Sequence, residues 1–427
     1  MVAAEQFFQQ SLHHIKAKQP LVLGFSGGGD SLALLRRLLQ TGRGPVHALI
    51  VNHKMKPGAD AEAAQAAKLA KKLGAQTQVL PWDGPALSGH AQARNARYCL
   101  LAQACRALGA SHLLLAHTAD DQVETFCLRT LAGSGAKGLA VMGASAPFPL
   151  WPEGFGLRVC RPLLSFYRAD LRTELRAAAL QWIEDPSNAD QRYARVRMRQ
   201  KLAKLAENGL QTGRVLAAIG QLQTLEQMIQ LQRNKAMQQW VRFDDAGFAQ
   251  VDLRLQTTTS RQVRGRVLEQ VMQAVSGVGR CKHAGPVLAD RWEQLLDTGR
   301  TSNINGCVMA RRGQQILLAR DKGAIGGRAG QAVLRVSVDT PLQPIWFDRR
   351  WLIQPSHAGV LQPVLACEGI LSPEQQQKLT LVPALARAAL PVLLTAEGCA
   401  NILPLEAPQT ILFAGAKRGM ETGTCFA

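Results

Sequence analysis

The sequence predicts an α/β protein: an N-terminal doubly wound parallel sheet, then a mostly helical middle domain, then a small β-rich C-terminal domain. Three observations predict it. Short apolar runs alternate with helical patterns through the first third of the chain, the texture of a parallel sheet with helices on both faces. From about Arg158 the chain becomes basic and largely helical in pattern. Beyond residue 330, short apolar runs are broken by prolines from Pro341 to Pro408, as in small β-rich domains.

The elements follow in order. Residues 21–25, Leu-Val-Leu-Gly-Phe, read as a buried first strand. The run Ser26, Gly27, Gly28, Gly29, Asp30, Ser31 comes next, and then a helix over 32–40 that stops near Gly42. A second strand is expected over 46–52, an Ala- and Lys-rich helix over 60–73 ending at Gly74, and a third strand over 77–80. Ala93, Leu100, Leu101, Ala104, Cys105 and Leu108 form a stripe at helical spacing, which predicts a helix over 90–108. Residues 112–116 make a fourth strand, after which Thr118 caps another helix. Further on, a long helix is expected over 215–240, helical texture over 253–272, and a strand pair 307–310 with 316–319. The run from Gly323 to Gly330 is small and flexible in composition and reads as a linker. The domains expected are therefore 1–205, 206–322 and 331–427.

Composition bounds the function. At ~150 residues per domain, a chain of 427 residues makes about three domains, enough to bury a core without disulfides. A hydrophobic fraction of 47% with 19% charged residues excludes a disordered chain. No run of ~18 uncharged apolar residues is present, which excludes a membrane helix. The first twenty residues lack the pattern of a secretory signal, so a cytoplasmic location is expected. Fifty Lys+Arg against 31 Asp+Glu give a net charge of +19, which points to a polyanionic partner, most simply nucleic acid. Nine cysteines without one C-x-x-C pair argue against zinc ribbons, clusters and redox dithiols, and fit reduced thiols.

Two motifs carry chemistry. In Ser26–Ser31 the glycines let backbone approach an anion, and the N–H groups that open the next helix point at it. No Gly-Lys-Ser/Thr follows, so the run is not a Walker loop. Asp30 suits a Mg²⁺ ion beside phosphates, and Ser26 and Ser31 can donate to phosphate oxygens. The second motif, His117 to Thr125, lies where the fourth strand ends, on the same sheet edge as the glycine loop. Asp121 and Glu124 are three apart on a helix and so share a face, suited to a cationic amine, a metal or a proton. The alternative is that Asp120 and Asp121 are only helix-start charges. Arg94 and Arg97 likewise share a helix face fit for a phosphate, or form a solvated one. Arg195, Arg197, Arg199 and Lys201 form an acid-free basic run that suits an RNA backbone or a phosphate, or an exposed basic helix.

Three segments together resemble the tRNA(Ile)-lysidine synthase family of the N-type ATP-pyrophosphatase (PP-loop) superfamily: SGGGDS after a strand, HTADDQVETFCLRTLAGSG, and RPLLSFYRADLRTEL followed by WIEDPSNADQRYARVRMRQKL. The resemblance is close over 21–205 and looser beyond. It implies an adenine nucleotide alpha hydrolase-like fold. It also implies a cytoplasmic ligase that uses ATP, with Mg²⁺, to join L-lysine to C2 of the wobble cytidine in the CAU anticodon of an isoleucine tRNA. By resemblance, Ser26 through Ser31 cradle ATP with Asp30 on Mg²⁺, and His117, Asp121 and Glu124 serve lysine binding and catalysis. Arg94 and Arg97 match a pair expected to contact nucleotide or intermediate. A homodimer is compatible with this reading.

The sequence departs from the family pattern at three places. The family's usual His-Gly-Leu-Arg is His53-Lys54-Met55-Lys56 here, where Lys56 keeps a charge but loses the planar fork. Asn95 stands where Glu is frequent, and Val196 where Asn is expected. Rival readings are another PP-loop tRNA modifier such as a thiolation synthase, which would want a cysteine pair near the site, and a non-catalytic nucleotide-binding module.

Overall fold

Every residue of the first strand faces a core, because helices cover the sheet on both sides. This computed structural model describes residues 2–55, 58–85, 89–184, 190–326, 332–367 and 369–421. The chain divides into two compact units, 1–227 and 228–427.

In the first unit the order is α1 (Val2–Leu12), β1 (Leu21–Gly24), α2 (Gly29–Gln40), β2 (Val46–Asn52), α3 (Ala59–Lys72) and β3 (Gln76–Pro81). Then come α4 (His90–Ala107), β4 (His112–Leu114), α5 (Ala119–Leu131), α6 (Ala136–Leu139), β5 (Ser145–Pro147) and β6 (Arg158–Cys160). Helices α7 (Arg168–Ala177), α8 (Ala194–Glu207) and α9 (Thr212–Trp240) follow, and the boundary between units falls within α9. The sheet order is β3-β2-β1-β4-β6-β5, parallel except for β5 against β6. Leu21 pairs with Val46 and Val22 with Leu113, so β1 lies between β2 and β4. The chain leaves β1 toward one side and later returns at β4 on the other. The crevice at their carboxyl ends is therefore the topological switch point where such sheets bind ligands.

Alternation along β1 sorts the cores. Leu21 and Leu23 point into a layer with Phe8, Leu12, Leu32, Leu35 and Leu171, while Val22 points into the opposite layer with Leu101, Cys105 and Val159. Arg37 on α2 ties α1 to α7: its guanidinium reaches Glu5 at 2.5 Å and Glu174 at 2.6 Å, and lies 4.3 Å from the centre of the Phe166 ring. Pinned in this way, α2 and α7 run alongside with both N-termini at the crevice.

The second unit opens with β7 (Val241–Phe243), β8 (Ala249–Asp252), α10 (Leu255–Thr258), α11 (Arg261–Ser276) and α12 (Gly285–Thr298). It continues with β9 (Ser302–Ile304), β10 (Cys307–Arg312), β11 (Gln315–Arg320) and α13 (Lys322–Ile325). These strands form an antiparallel sheet in the order β7-β8-β11-β10-β9, and Leu318 of β11 shares a fully buried core with Met272 of α11 and Trp292 of α12. The expected hairpin is β10 with β11; β7, β8 and β9 are additions that the helical texture concealed. The remainder is β12 (Val336–Val338), β13 (Ile345–Phe347), β14 (Trp351–Ile353), β15 (Gly359–Pro363), α14 (Pro373–Leu379) and α15 (Ala384–Arg387), then β16 (Pro391–Thr395), β17 (Ala400–Ile402), α16 (Leu403–Glu406), β18 (Ile411–Phe413) and α17 (Ala414–Glu421). Its two small sheets are ordered β12-β15-β16-β17 and β13-β14-β18, the β-rich texture the prolines predict.

Two expectations are corrected. The supposed linker opens as a helical turn, α13, capped by the Asp321 carboxylate on the Gly323 N–H at 3.2 Å and anchored by buried Ile325; residues 327–330 lie outside the described residues. Arg158 does not mark the end of the sheet, because Arg158–Cys160 is β6, parallel to β4.

Candidate active site at the carboxyl edge of the sheet

The loop after β1 is already shaped for an anion. Ser31 Oγ donates to the Gly28 carbonyl at 2.9 Å and receives the Ser26 N–H at 3.4 Å, which folds the run back on itself. Gly29, Asp30 and Ser31 form the first turn of α2, so their N–H groups have no partner inside the helix. Gly27 has φ +79°, and a methyl group there would lie 2.5 Å from Ile183 Cδ1. Ile183 also donates its N–H to the Gly27 carbonyl at 3.0 Å, and Trp182 lies against Gly29. The segment 182–183 thus walls one side of the loop. The following Asp-Pro-Ser-Asn turn, 185–188, lies outside the described residues, as does Lys56.

Opposite stands the start of α5. Asp121 Oδ2 accepts the Thr118 N–H at 2.9 Å and Oγ at 3.1 Å, so this carboxylate closes a capping box on its own helix. The helix-start role and the site role are therefore combined in one residue. Burial alone would raise the Asp121 pKa, but Arg168 and the Thr118 N–H hold it below the usual value. Glu124 is more deeply placed, its side chain 2% exposed. Its Oε1 takes Arg168 Nη1 at 3.1 Å and Arg199 Nε at 2.8 Å, while its Oε2 is buried without a hydrogen-bond partner among the described residues.

Arg168, the first residue of α7, joins the two halves. Its Nε donates to Asp30 Oδ2 at 3.1 Å, its Nη2 to Asp121 Oδ1 at 2.8 Å, and its backbone N–H to Asp120 Oδ2 at 2.8 Å. Burial disfavours its charge, yet Asp121, Glu124 and Asp30 together keep its pKa above the ordinary range. Burial raises the Asp30 pKa, with Arg168 opposing and Asp121 reinforcing the shift. Asp30 is nonetheless the most open carboxylate of the three, 28% exposed against 10% for Asp121, and so the one a metal ion arriving with phosphates can reach.

His117 ends the loop after β4. Its Nδ1 is buried without a partner, and burial, aided by Arg161, lowers its pKa to about 4, so the ring is neutral near pH 7. Arg97 reaches the end of β1, where a methyl on Gly24 would lie 3.5 Å from its Nη2; burial lowers the pKa of both His53 and His117, and the Arg97 charge adds to each shift. Its own pKa is lowered by burial. Arg94 is exposed and lies over the Tyr98 ring at 5.2 Å, so the two arginines of one helix differ in burial.

The basic run on α8 separates by helical phase. Arg195 reaches Asp121 at 3.8 Å and Arg199 reaches Glu124, one turn apart and facing α5. Arg197 turns back to the carbonyls of Gln191 and Arg192, at 2.7 and 2.8 Å, and Lys201 is exposed. Val196, at the position of the expected Asn, is buried. Burial pushes the Cys160 thiol of β6 up to about 12, the reverse of what a reactive thiolate needs.

Sequence reasoning places the glycine loop, His117, Asp121 and Glu124 together, and the structure brings them to one crevice. It misses Arg168, Trp182 and Ile183. Arg168 carries one signal only, its place at the start of a helix after an apolar run.

The crevice therefore joins an anion cradle to an acidic pocket that holds a buried, unpartnered carboxylate oxygen, a layout suited to activating a group with a triphosphate and presenting a cationic amine to it. The family model for the PP-loop domain matches residues 2–206. A tRNA(Ile)-lysidine synthase of Caulobacter vibrioides is 34% identical over 392 residues, covering 90% of this chain and 86% of that protein. One from Hyphomonas neptunium is 33% identical, covering 72% of this chain and 83% of that protein. One from Rhodopseudomonas palustris is 42% identical over 203 residues, covering 45% of this chain and 56% of that protein.

Proposed function

The chain belongs to the tRNA(Ile)-lysidine synthase family, and from that premise we propose that it joins L-lysine to the wobble cytidine, position 34, of isoleucine tRNA with a CAU anticodon. The product reads A rather than G, and the tRNA changes from methionine to isoleucine specificity. The chemistry needs two steps because the C2 oxygen of cytosine is a poor leaving group. The C2 oxygen first attacks the α-phosphorus of ATP; the α–β bridging P–O bond breaks and pyrophosphate leaves. The lysine Nε then attacks C2; a C–N bond forms, the C2–O bond breaks, AMP leaves, and the nitrogen gives up a proton.

Each part of the crevice takes a share. The Ser26–Ser31 loop and the first N–H groups of α2 hold the phosphates. Asp30 is the residue that would hold Mg²⁺, which supplies charge neutralisation on the phosphates. Glu124 Oε2 receives the amine and is the acceptor for its proton, with the neutral His117 ring as a second acceptor nearby. Arg94 and Arg97 stand on the side where nucleotide phosphate or the adenylated base would lie, and exposed Arg197 and Lys201 face the tRNA backbone.

The observation that carries this reading is the buried, unpartnered Glu124 Oε2, since an acceptor left open at such depth awaits a donor. Glu124→Gln tests it with tRNA, ATP and lysine. Pyrophosphate release should stay within a few-fold of wild type while lysine incorporation falls about 10² or more. Equal loss of both steps would remove Glu124 from the amine seat.

A further inference from the structure

We infer that Arg168 is a positioning residue that acts as a resident counter-ion, occupying the carboxylate cluster so that an entering lysine side chain meets the open oxygen of Glu124 rather than a cluster short of a counter-charge. This rests on the reading of the crevice as a lysine-accepting site.

The geometry supports the role. One planar guanidinium serves three carboxylates from two separate segments, Asp30 at the start of α2 and Asp121 and Glu124 at the start of α5. Only a five-donor fork can do this; a lysine at 168 would bring the charge without the alignment. The root of the side chain is fixed as well, by the Asp120 carboxylate on its backbone N–H. At 14% side-chain exposure, Arg168 is also much more enclosed than Arg195 at 47% or Arg199 at 43%.

Counted by direct ion pairs, the charges of the seat match three to three. Asp30, Asp121 and Glu124 are met by Arg168, Arg195 and Arg199, with Arg172 also facing Asp30 and the neutral His117 facing Asp121. Without Arg168, the three carboxylates would keep two ion-paired cations, Arg195 and Arg199, Asp30 would keep only the longer-range field of Arg172, and an arriving ammonium would take the vacated place. Such a site would bind lysine tightly in its ground state. Binding that is stronger in the ground state does not speed the reaction, and misaligned carboxylates slow it. In the intact site, Arg168 leaves the two carboxylates of α5 one unpartnered oxygen, Glu124 Oε2, while the more open Asp30 stays on the phosphate side.

The test is direct titration of the full-length protein with L-lysine, and with L-norleucine, which lacks the ε-amine. Arg168→Met should bind L-lysine about tenfold more tightly than wild type, with no gain for norleucine. At saturating lysine its transfer to tRNA should fall about 100-fold. Arg168→Lys should bind lysine within about twofold of wild type, because the charge is kept, yet transfer slowly because the fork is lost. A purely structural arginine predicts the opposite sign, and unchanged or weaker lysine binding by Arg168→Met would overturn the inference. Should that variant not fold, a tenfold weakening of lysine binding in folded Arg168→Lys would overturn it equally. Wild-type protein that makes no lysine-bearing cytidine would defeat the functional reading instead, so the two failures are distinct.

Discussion

Asp121 and Glu124 are the same kind of group three residues apart, and their neighbours give them different work. Asp121 has its outer oxygen filled by the Thr118 cap and its inner one by Arg168, so it anchors. Glu124 keeps an oxygen free, which is why the amine is proposed to bind there. Spacing alone makes both candidates, and only the partners separate them. His117 offers a prediction at this scale. In the unfolded chain a histidine takes up its proton near 6.5, whereas in the fold burial lowers His117, and also His112, to about 4. Between those values the unfolded chain binds more protons, so stability present above 6.5 is lost as the pH falls toward 4. His117→Gln removes one of these contributions, so its melting temperature should decline less than that of wild type from about pH 7 to pH 4.5. Parallel declines would contradict a neutral buried ring. His117, Asp121 and Glu124 are legible in the sequence because they follow one strand closely. Arg168 is not, since 44 residues separate it from Glu124 and only folding shows which arginine of a basic segment turns inward.

At the scale of elements, α2, α5 and α7 all begin at one crevice, and this convergence makes the site. The Arg37–Glu174 pair and the Phe166 ring hold α2 and α7 in register some turns away from the chemistry. The phosphate loop depends on Gly27, whose left-handed backbone costs a residue with a Cβ about 1–2 kcal/mol, and here a Cβ would also strike Ile183. Gly27→Ala should therefore lower ATP affinity about tenfold or more and the melting temperature by several degrees. Adding Ile183→Ala should recover part of the loss, because it removes the clash and leaves the strain. Calorimetry with ATP and a thermal melt check both, and an unaltered ATP affinity in the single variant would show that the loop conformation is not needed. Strands β1 to β4 are legible as apolar runs between helical patterns. Strands β5 and β6 are not, being three residues each and flanked by proline and glycine, where periodicity has no length to register.

Across the whole molecule, a net charge of +19 sets the terms for a polyanionic substrate. If about four cationic side chains meet tRNA phosphates, affinity should fall on the order of 10² between 50 and 200 mM salt, and a flat response would deny an electrostatic grip. The charge is plain in the sequence, whereas the sheet of the second unit is largely hidden. Its strands β7, β8 and β9 are short and adjoin long amphipathic helices, and the pairing of β8 with β11, which joins the local β7–β8 and β9–β10 pairs into one sheet, comes from residues far along the chain. The central claim is that this chain makes a pyrimidine oxygen expellable with ATP and replaces it with lysine nitrogen. It is tested most directly by incubating the protein with ATP, labelled L-lysine and an isoleucine tRNA carrying a CAU anticodon, then digesting the RNA to nucleosides for mass spectrometry. The account predicts a lysine-bearing cytidine at the wobble position, with one AMP formed per modified tRNA. Unmodified cytidine, with no AMP above background, would contradict it.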